Sequence, residues 1–338
     1  MIIKIVVLSD LHVGSLYGLC PTHYFNEHTN AFQRWAIDRW RDFTLEYKYP
    51  DYLVLNGDII DGPGKKDPTV LCITDSTNQV EAAADLILPL VGKNTIIYGV
   101  SGSGYHYGKG TGFDGDRQVT EKLIEQSKAK GKHYREEFGL DLSKYGMKSI
   151  TFHHKAKNVN TEANITFKKA YKTLAPRVEM IVASHLHRKL LLTDGVAICH
   201  TPCWEWETDF MSYVDPVDIG STIIYVDVDK KTIFTDFFSP QRPTELFVAM
   251  QNWVGLSYER ENELREANEK QQQEEFDKLS KLFQNVPKNS LRKIVAEVKK
   301  QESVSHLSLP KAVDTRTKGV KEKEFKLPRN LPKAGLRK

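Results

Sequence analysis

The chain has 338 residues, 40% of them apolar and 27% charged, which is enough apolar material for a sizeable core and excludes a wholly disordered protein. No apolar run reaches the roughly 20 residues of a membrane helix, and four cysteines are too few for a disulfide framework, so the expectation is a reducing cytoplasm. The net charge of +4 is uneven: residues 311–338 hold ten Lys/Arg against three Asp/Glu, a net +7, so the other 310 residues sum to −3.

The chain opens on a β-branched apolar run, residues 2–8, which reads as a buried strand and is too short for a secretory signal. Residues 30–47 repeat apolar side chains at helical spacing (Phe32, Trp35, Ile37, Trp40, Phe43). A strand at 52–55, a helix at 78–91 and a strand at 95–100 follow. This β-α-β-α-β order predicts a layered α/β domain. Further strands are expected at 149–152, 180–183, 196–200, 222–228 and 232–238, with a hairpin turn at Asp229, Lys230 and Lys231.

Residues 257–283 change character, with eight acidic and five basic residues and sparse apolar positions. They read as an exposed charged helix, either packed back on the body or offered to a partner. Pro287 interrupts it, and Asn289 or Ser290 caps a short helix over 291–300. The expected organisation is a catalytic domain over 1–245, a charged helical extension over 250–302 and a basic tail over 303–338. The tail is too poor in large apolar residues to offset its ordering entropy. Its charge suits an arm for nucleic acid or another polyanion, or a solubilising extension.

The chemistry sits at the ends of predicted strands. The first strand ends in Ser9-Asp10-Leu11-His12, and residues two apart on extended backbone point the same way, so Asp10 and His12 are expected to aim at one ion. The second ends in Asn56-Gly57-Asp58-Ile59-Ile60-Asp61-Gly62, where Gly57 permits a close turn ahead of Asp58. Later strands end in His153-His154 and in Ser184-His185-Leu186-His187. Ligands of open α/β sheets bind beyond the carboxyl ends of strands. Carboxylates and imidazoles without thiolates suit Mn, Fe, Zn or Mg.

This ordered set resembles the calcineurin-like metallophosphoesterase superfamily over residues 1–240. The resemblance implies a four-layer α/β/β/α sandwich and two divalent metal ions, manganese favoured. It implies Asp10, His12 and His187 as ligands of one ion, Asp58 as the bridging carboxylate, and His185 with His154 (or His153) as ligands of the other. Asp61 is implied to support them. Where the family carries Gly-Asn-His, this chain has Gly102-Ser103-Gly104-Tyr105-His106. His106 fits the catalytic histidine, while Tyr105 replaces the metal-binding asparagine. This resembles the Gly-[Ser/Thr]-x-x-His loop of phosphoesterases often encoded by phages and prophages. Ser103 then offers a hydroxyl in place of the amide, and Asp116 or Glu121 is a further candidate for compensating it.

Other motifs carry less. Gly104 to Thr111 lacks the spacing of a phosphate loop. Cys199, His200 and Cys203 have no second pair to complete a zinc site, so a strand-side core is expected there. Trp204 and Trp206 line either a cleft or the core. The resulting expectation is a dinuclear phosphoesterase in which metal-activated water attacks phosphorus, acting as a phosphodiesterase or nuclease with nucleic acid held by residues 311–338. The alternatives are a protein or nucleotide phosphatase, or a non-catalytic nucleic-acid-binding or assembly protein with a weakened metal site.

Overall fold

The computed structural model describes residues 1–26, 29–62, 71–104, 106, 112–154, 178–192, 196–206, 217–253 and 270. The chain divides into two compact units, Met1–Glu259 and Arg260–Lys338. Apart from Lys270, the second unit lies outside the described residues, and with it the expected helix at 291–300 and the basic tail. No helix among the described residues is long and apolar enough to cross a membrane. The four cysteines are free thiols.

Two sheets form the first unit. The larger uses β1 (Ile2–Leu8), β2 (Tyr52–Asn56), β3 (Ile96–Val100), β4 (Lys130–Tyr134), β10 (Ser221–Asp227) and β11 (Thr232–Phe238), in the order β11-β10-β1-β2-β3-β4. Strands β1 to β4 run parallel, and β10 and β11 close one side antiparallel. The smaller sheet uses β5 (Glu137–Leu140), β6 (Ser149–His153), β7 (Val178–Ala183), β8 (Leu190–Leu192) and β9 (Ala197–His200), in the order β5-β6-β7-β9-β8. Here β6, β7 and β9 are parallel.

Alternation along β1 explains the layering. Val6 and Leu8 face one way, joining Leu53, Leu55 and Ile97 in a core with three helices. These are α1 (Ala31–Tyr47), α2 (Ser76–Ile87) and α3 (Gly115–Ser127). Ile3, Ile5 and Val7 face the other way and join Val54, Ile224 and Val226 against Ile150, Phe152, Met180 and Val182 of the smaller sheet. Helix α1 buries Phe32, Ile37, Trp40 and Phe43 as its spacing requires, while Trp35 is half-buried beside them. Asn30 caps it in a reciprocal box with Gln33. The described residues thus supply helix, sheet and sheet; the fourth expected layer falls outside them.

Several elements of the first unit, β5 and β8 among them, carried no sequence expectation. Helix α3 has a thin apolar stripe, chiefly Val119 and Leu123, and announces itself only through its cap Asp114. Strand β4, Lys-Gly-Lys-His-Tyr, is a charged, mostly exposed edge. A helix over 244–253 continues the unit past the predicted strands, burying Leu246 and Met250 in the helix-side core.

Candidate metal centre

The parallel registers bring distant loops to one level. In the larger sheet, Leu8 lies opposite Leu55 and Asn56 opposite Val100. In the smaller, His153, Ala183 and His200 form one row. The loops after β1, β2, β3, β6, β7 and β9 therefore leave from the carboxyl ends of six parallel strands. Hydrogen bonds zip them together. Asp10 N–H donates to Gly57 O (3.0 Å), His12 N–H to Asp58 O (3.2 Å) and Asp61 N–H to Val13 O (3.0 Å). At the end of the smaller sheet, Ser184 N–H donates to His154 O (3.1 Å), and across the sheets Trp204 N–H donates to Asp10 O (2.9 Å).

The backbone here differs from the extended geometry expected of Asp10-x-His12 and His185-x-His187. Asp10, His12, Asp58, His185 and His187 all have positive φ, between 46° and 73°. A side chain in that region strains the backbone by roughly 1–3 kcal/mol, sustained only where the surroundings fix it. The pairs converge because each loop turns left-handed at both residues, with the intervening Leu11 buried in the core. Extended pleating is not the reason.

Among the described residues, three groups of side chains could each enclose a cation: Asp10, Asp58, His154 and His185; Asp10, His12 and His187; and His12, Asp61 and His106. His154 Nε2 lies 2.8 Å from Asp58 Oδ2 and 3.9 Å from Asp10 Oδ1, and His187 Nε2 lies 3.2 Å from that same Asp10 oxygen. Asp10 is thus common to the first two groups, and Asp58 belongs to the first. His154 Nδ1 donates to Asn56 O (2.8 Å), which turns Nε2 toward the carboxylates. Its neighbour His153 turns away and stands near His200, so the doublet resolves to His154. His106 Nδ1 donates to Asp61 O (2.9 Å), leaving Nε2 3.9 Å from Asp58 Oδ2.

The electrostatics follow from burial opposed by close partners. Burial pushes Asp10 up, but His154 and His187 overcome it and hold the carboxyl down at about 2. Asp58 is likewise raised by burial and then carried well below the usual range by His154 and His106. Burial lowers His154, yet Asp58 and Asp10 raise it to about 9. His12 also rises, burial being outweighed by Glu205 and Asp61. Strong mutual stabilisation of opposite charges in a buried space is what a removable cation would replace. The donor set fits one: Asp10 Oδ1, His12 Nε2 and His154 Nε2 are buried and make no hydrogen bond.

Two further expectations change. Asp116 does not face the cluster. Its carboxylate accepts from the backbone N–H of Ile59 (2.8 Å), Asp58 (3.2 Å) and Gly102 (2.7 Å), so it clamps the β2 and β3 loops together. Burial and the nearby Asp58 raise it to about 7. Glu121 is exposed and pairs with Arg117 on α3 at 3.3 Å. Neither compensates for the asparagine. Ser103 does stand at the cluster: its N–H donates to Asp58 Oδ1 (2.8 Å), and its buried Oγ makes no hydrogen bond. Tyr105 and residues 107–111 lie outside the described residues.

Trp204 and Trp206 belong to the core, packed on Trp40 and Phe43 and on Phe32 and Phe247 respectively. Cys199 and Cys203 are buried, and no group of candidate cation ligands among the described residues includes them. Sequence reasoning passed over Glu205, whose buried Oε2 lies 3.4 Å from His12 Nε2 and 3.6 Å from His187 Nδ1. No local motif marks it: Glu205 stands between Trp204 and Trp206, with Glu207 and Asp209 just beyond.

No family model and no curated protein matches this chain. Among solved structures, it is similar to Vps29 from Entamoeba histolytica in complex with zinc, at 12% identity over 70% of this chain and 99% of that one, with a TM-score of 0.33. It is similar to Chaetomium thermophilum Vps29 at 12% identity, over 71% of this chain and 100% of that one, TM-score 0.36. A conserved uncharacterised protein from Streptococcus pneumoniae, described as a predicted phosphoesterase, gives 13% identity over 71% and 99%, TM-score 0.32.

Proposed function

We propose that this protein is a dinuclear metal-dependent phosphoesterase whose substrate is a phosphodiester, nucleic acid first among them. The observation that carries the reading is the buried cluster itself: two ligand groups sharing Asp10, adjoined by His106. Full ionisation of the four buried carboxyl groups of Asp10, Asp58, Asp61 and Glu205 would present the charge that two divalent cations neutralise. Asp10, His12 and His187 would hold one ion. Asp10, Asp58, His154 and His185 would hold the other, with the Ser103 hydroxyl as a neutral oxygen in place of the family amide. When bound, the ions supply Lewis-acid polarisation of phosphoryl oxygens and a lowered pKa for water.

The protein's own groups do the rest. His185 and His106 are the more open members, with side chains 34% and 12% exposed against 1% for His154, so the ester approaches from their side. His106 is anchored through Nδ1–H to Asp61 O, so its doubly protonated, imidazolium form presents Nε2–H to the departing oxygen and returns to the neutral ring on giving that proton up. The Asp61 carboxylate, 3.5 Å from His106 Nδ1 and 3.4 Å from His12 Nδ1, keeps both rings in place. The basic residues of 311–338 favour a polyanionic diester over a small monoester.

The test is a metal assay coupled to ester hydrolysis. Purified protein is expected to take up close to two equivalents of Mn²⁺. It is expected to hydrolyse bis(p-nitrophenyl) phosphate faster than p-nitrophenyl phosphate, and to lose that activity to a chelator. Undiminished turnover after metal stripping would overturn the mechanism; preference for the monoester would overturn the substrate class.

A further inference from the structure

We infer that Glu205 is a positioning residue of this centre: its carboxylate orients the His187 ring so that Nε2 faces the cation held with Asp10. The inference rests on the metal-dependent reading above. An imidazole has two nitrogens, and its neutral form carries one proton. His187 Nε2 lies 3.2 Å from Asp10 Oδ1, on the ligand side, and Nδ1 lies 3.6 Å from Glu205 Oε2, on the far side. A proton kept on Nδ1 by a carboxylate leaves the Nε2 lone pair for a cation and raises its basicity. The same Glu205 oxygen stands 3.4 Å from His12 Nε2, which keeps the carboxylate beside this ligand group.

The placement of Glu205 is fixed from both sides. Trp204 N–H donates to Asp10 O (2.9 Å), and Trp206 N–H donates to Tyr17 O (2.7 Å). Cys203 N–H donates to Asp218 O (2.9 Å), and Asp218 N–H in turn to His187 O (2.9 Å). The segment is thus tied to the backbone of the residues it serves. Trp204 and Trp206 drive into the helix-side core, and the residue between them is left facing the histidines. A carboxylate buried to 4% exposure without such a duty would be expensive to keep. At these distances neither ring nitrogen is hydrogen-bonded. A shift of a few tenths of an ångström on ring alignment brings His187 Nδ1–H within hydrogen-bond distance of Glu205 Oε2.

The test uses Mn²⁺ titration of the full chain by calorimetry, with far-UV circular dichroism to verify folding. Glu205→Ala is expected to weaken one of two equivalents by 10–100-fold and leave the other unchanged. Glu205→Gln retains an oxygen acceptor for Nδ1–H and is expected to recover most of that loss. In ¹⁵N-labelled protein, His187 is expected to hold its proton on Nδ1 in the wild type and to lose that preference in Glu205→Ala. Unchanged affinity in Glu205→Ala, or Glu205→Gln as weak as Glu205→Ala, overturns the positioning role while leaving the metal reading intact. Failure of the wild type to take up Mn²⁺ overturns the metal reading itself. Should Glu205→Ala not fold, the Glu205→Gln titration and the His187 tautomer in that variant carry the same decision.

Discussion

Asp58 and His106 are neighbours in space, 3.9 Å apart, with different work to do. Asp58 belongs to one of the candidate ligand groups, and in the proposed reading it holds a cation before any chemistry begins. Asp58→Asn is therefore expected to abolish aryl phosphodiester hydrolysis together with one equivalent of bound Mn²⁺. His106→Ala is expected to keep both equivalents and to lower kcat by about 10²- to 10⁴-fold, the usual worth of a general acid. Parallel loss of metal in His106→Ala would move it from proton donor to ligand. Away from the centre, His200 is buried and lowered to about 4, by burial first and then by His153. The folded state keeps this ring neutral, whereas the unfolded chain protonates it near 6.5. Its contribution is therefore present above pH 6.5 and lost as pH falls toward 4, up to about 3 kcal/mol in all. Urea unfolding at pH 7 and pH 5 should show that loss in the wild type and a smaller one in His200→Gln. An identical pH response in the two would refute it.

At the scale of elements, the centre is made by strand ends and by the turns that follow them. Gly57 has φ of +85°, and a Cβ there would come within 2.5 Å of the His154 ring and 2.7 Å of the Gly102 Cα. Gly57→Ala is expected to destabilise the fold by roughly 1–3 kcal/mol and to displace His154. Thermal melts and Mn²⁺ titration check this; a variant with wild-type melting and wild-type affinity would show that the loop can give way. The strands and helices around these turns were legible where their faces were strongly apolar. Strand β11 matches its expected bounds, and β1 does too, because alternation and β-branching leave little choice. Helix α1 begins one residue inside its expected start, at its Asn30 cap. Helix α3 and strand β4 were illegible for the opposite reason. Their sequences are charged, and they are held by neighbours: α3 by Asp114 and the Val119–Leu123 stripe, β4 by its register against β3.

For the whole molecule, charge is divided between a slightly acidic body and a basic tail, a net −3 against +7. Removing residues 311–338 is expected to weaken binding of single-stranded DNA and to flatten its dependence on salt, while leaving hydrolysis of bis(p-nitrophenyl) phosphate unchanged. Filter binding across a salt series measures it, and an unaltered slope would separate the tail from the substrate. The residue types of the centre, Asp10, His12, Asp58, His154, His185 and His187, were readable from the chain because polar residues directly after apolar strands can only lie at strand ends. Their grouping was not. Asp10 and His187 are 177 positions apart in sequence, and only the packing of two mixed sheets, with the carboxyl ends of their parallel strands side by side, sets which side chains share a group. Glu205 and Asp116 had no motif to betray them, since one faces the histidines and the other clamps backbone through contacts that no local pattern encodes. The sequence by itself determined the alternation of strand and helix and the chemical character of the loops, because these depend on periodicity and on residue type. The tertiary structure alone decided partners and orientation, because the left-handed turns at Asp10, His12, Asp58, His185 and His187 and the register between strands are properties of the assembled backbone.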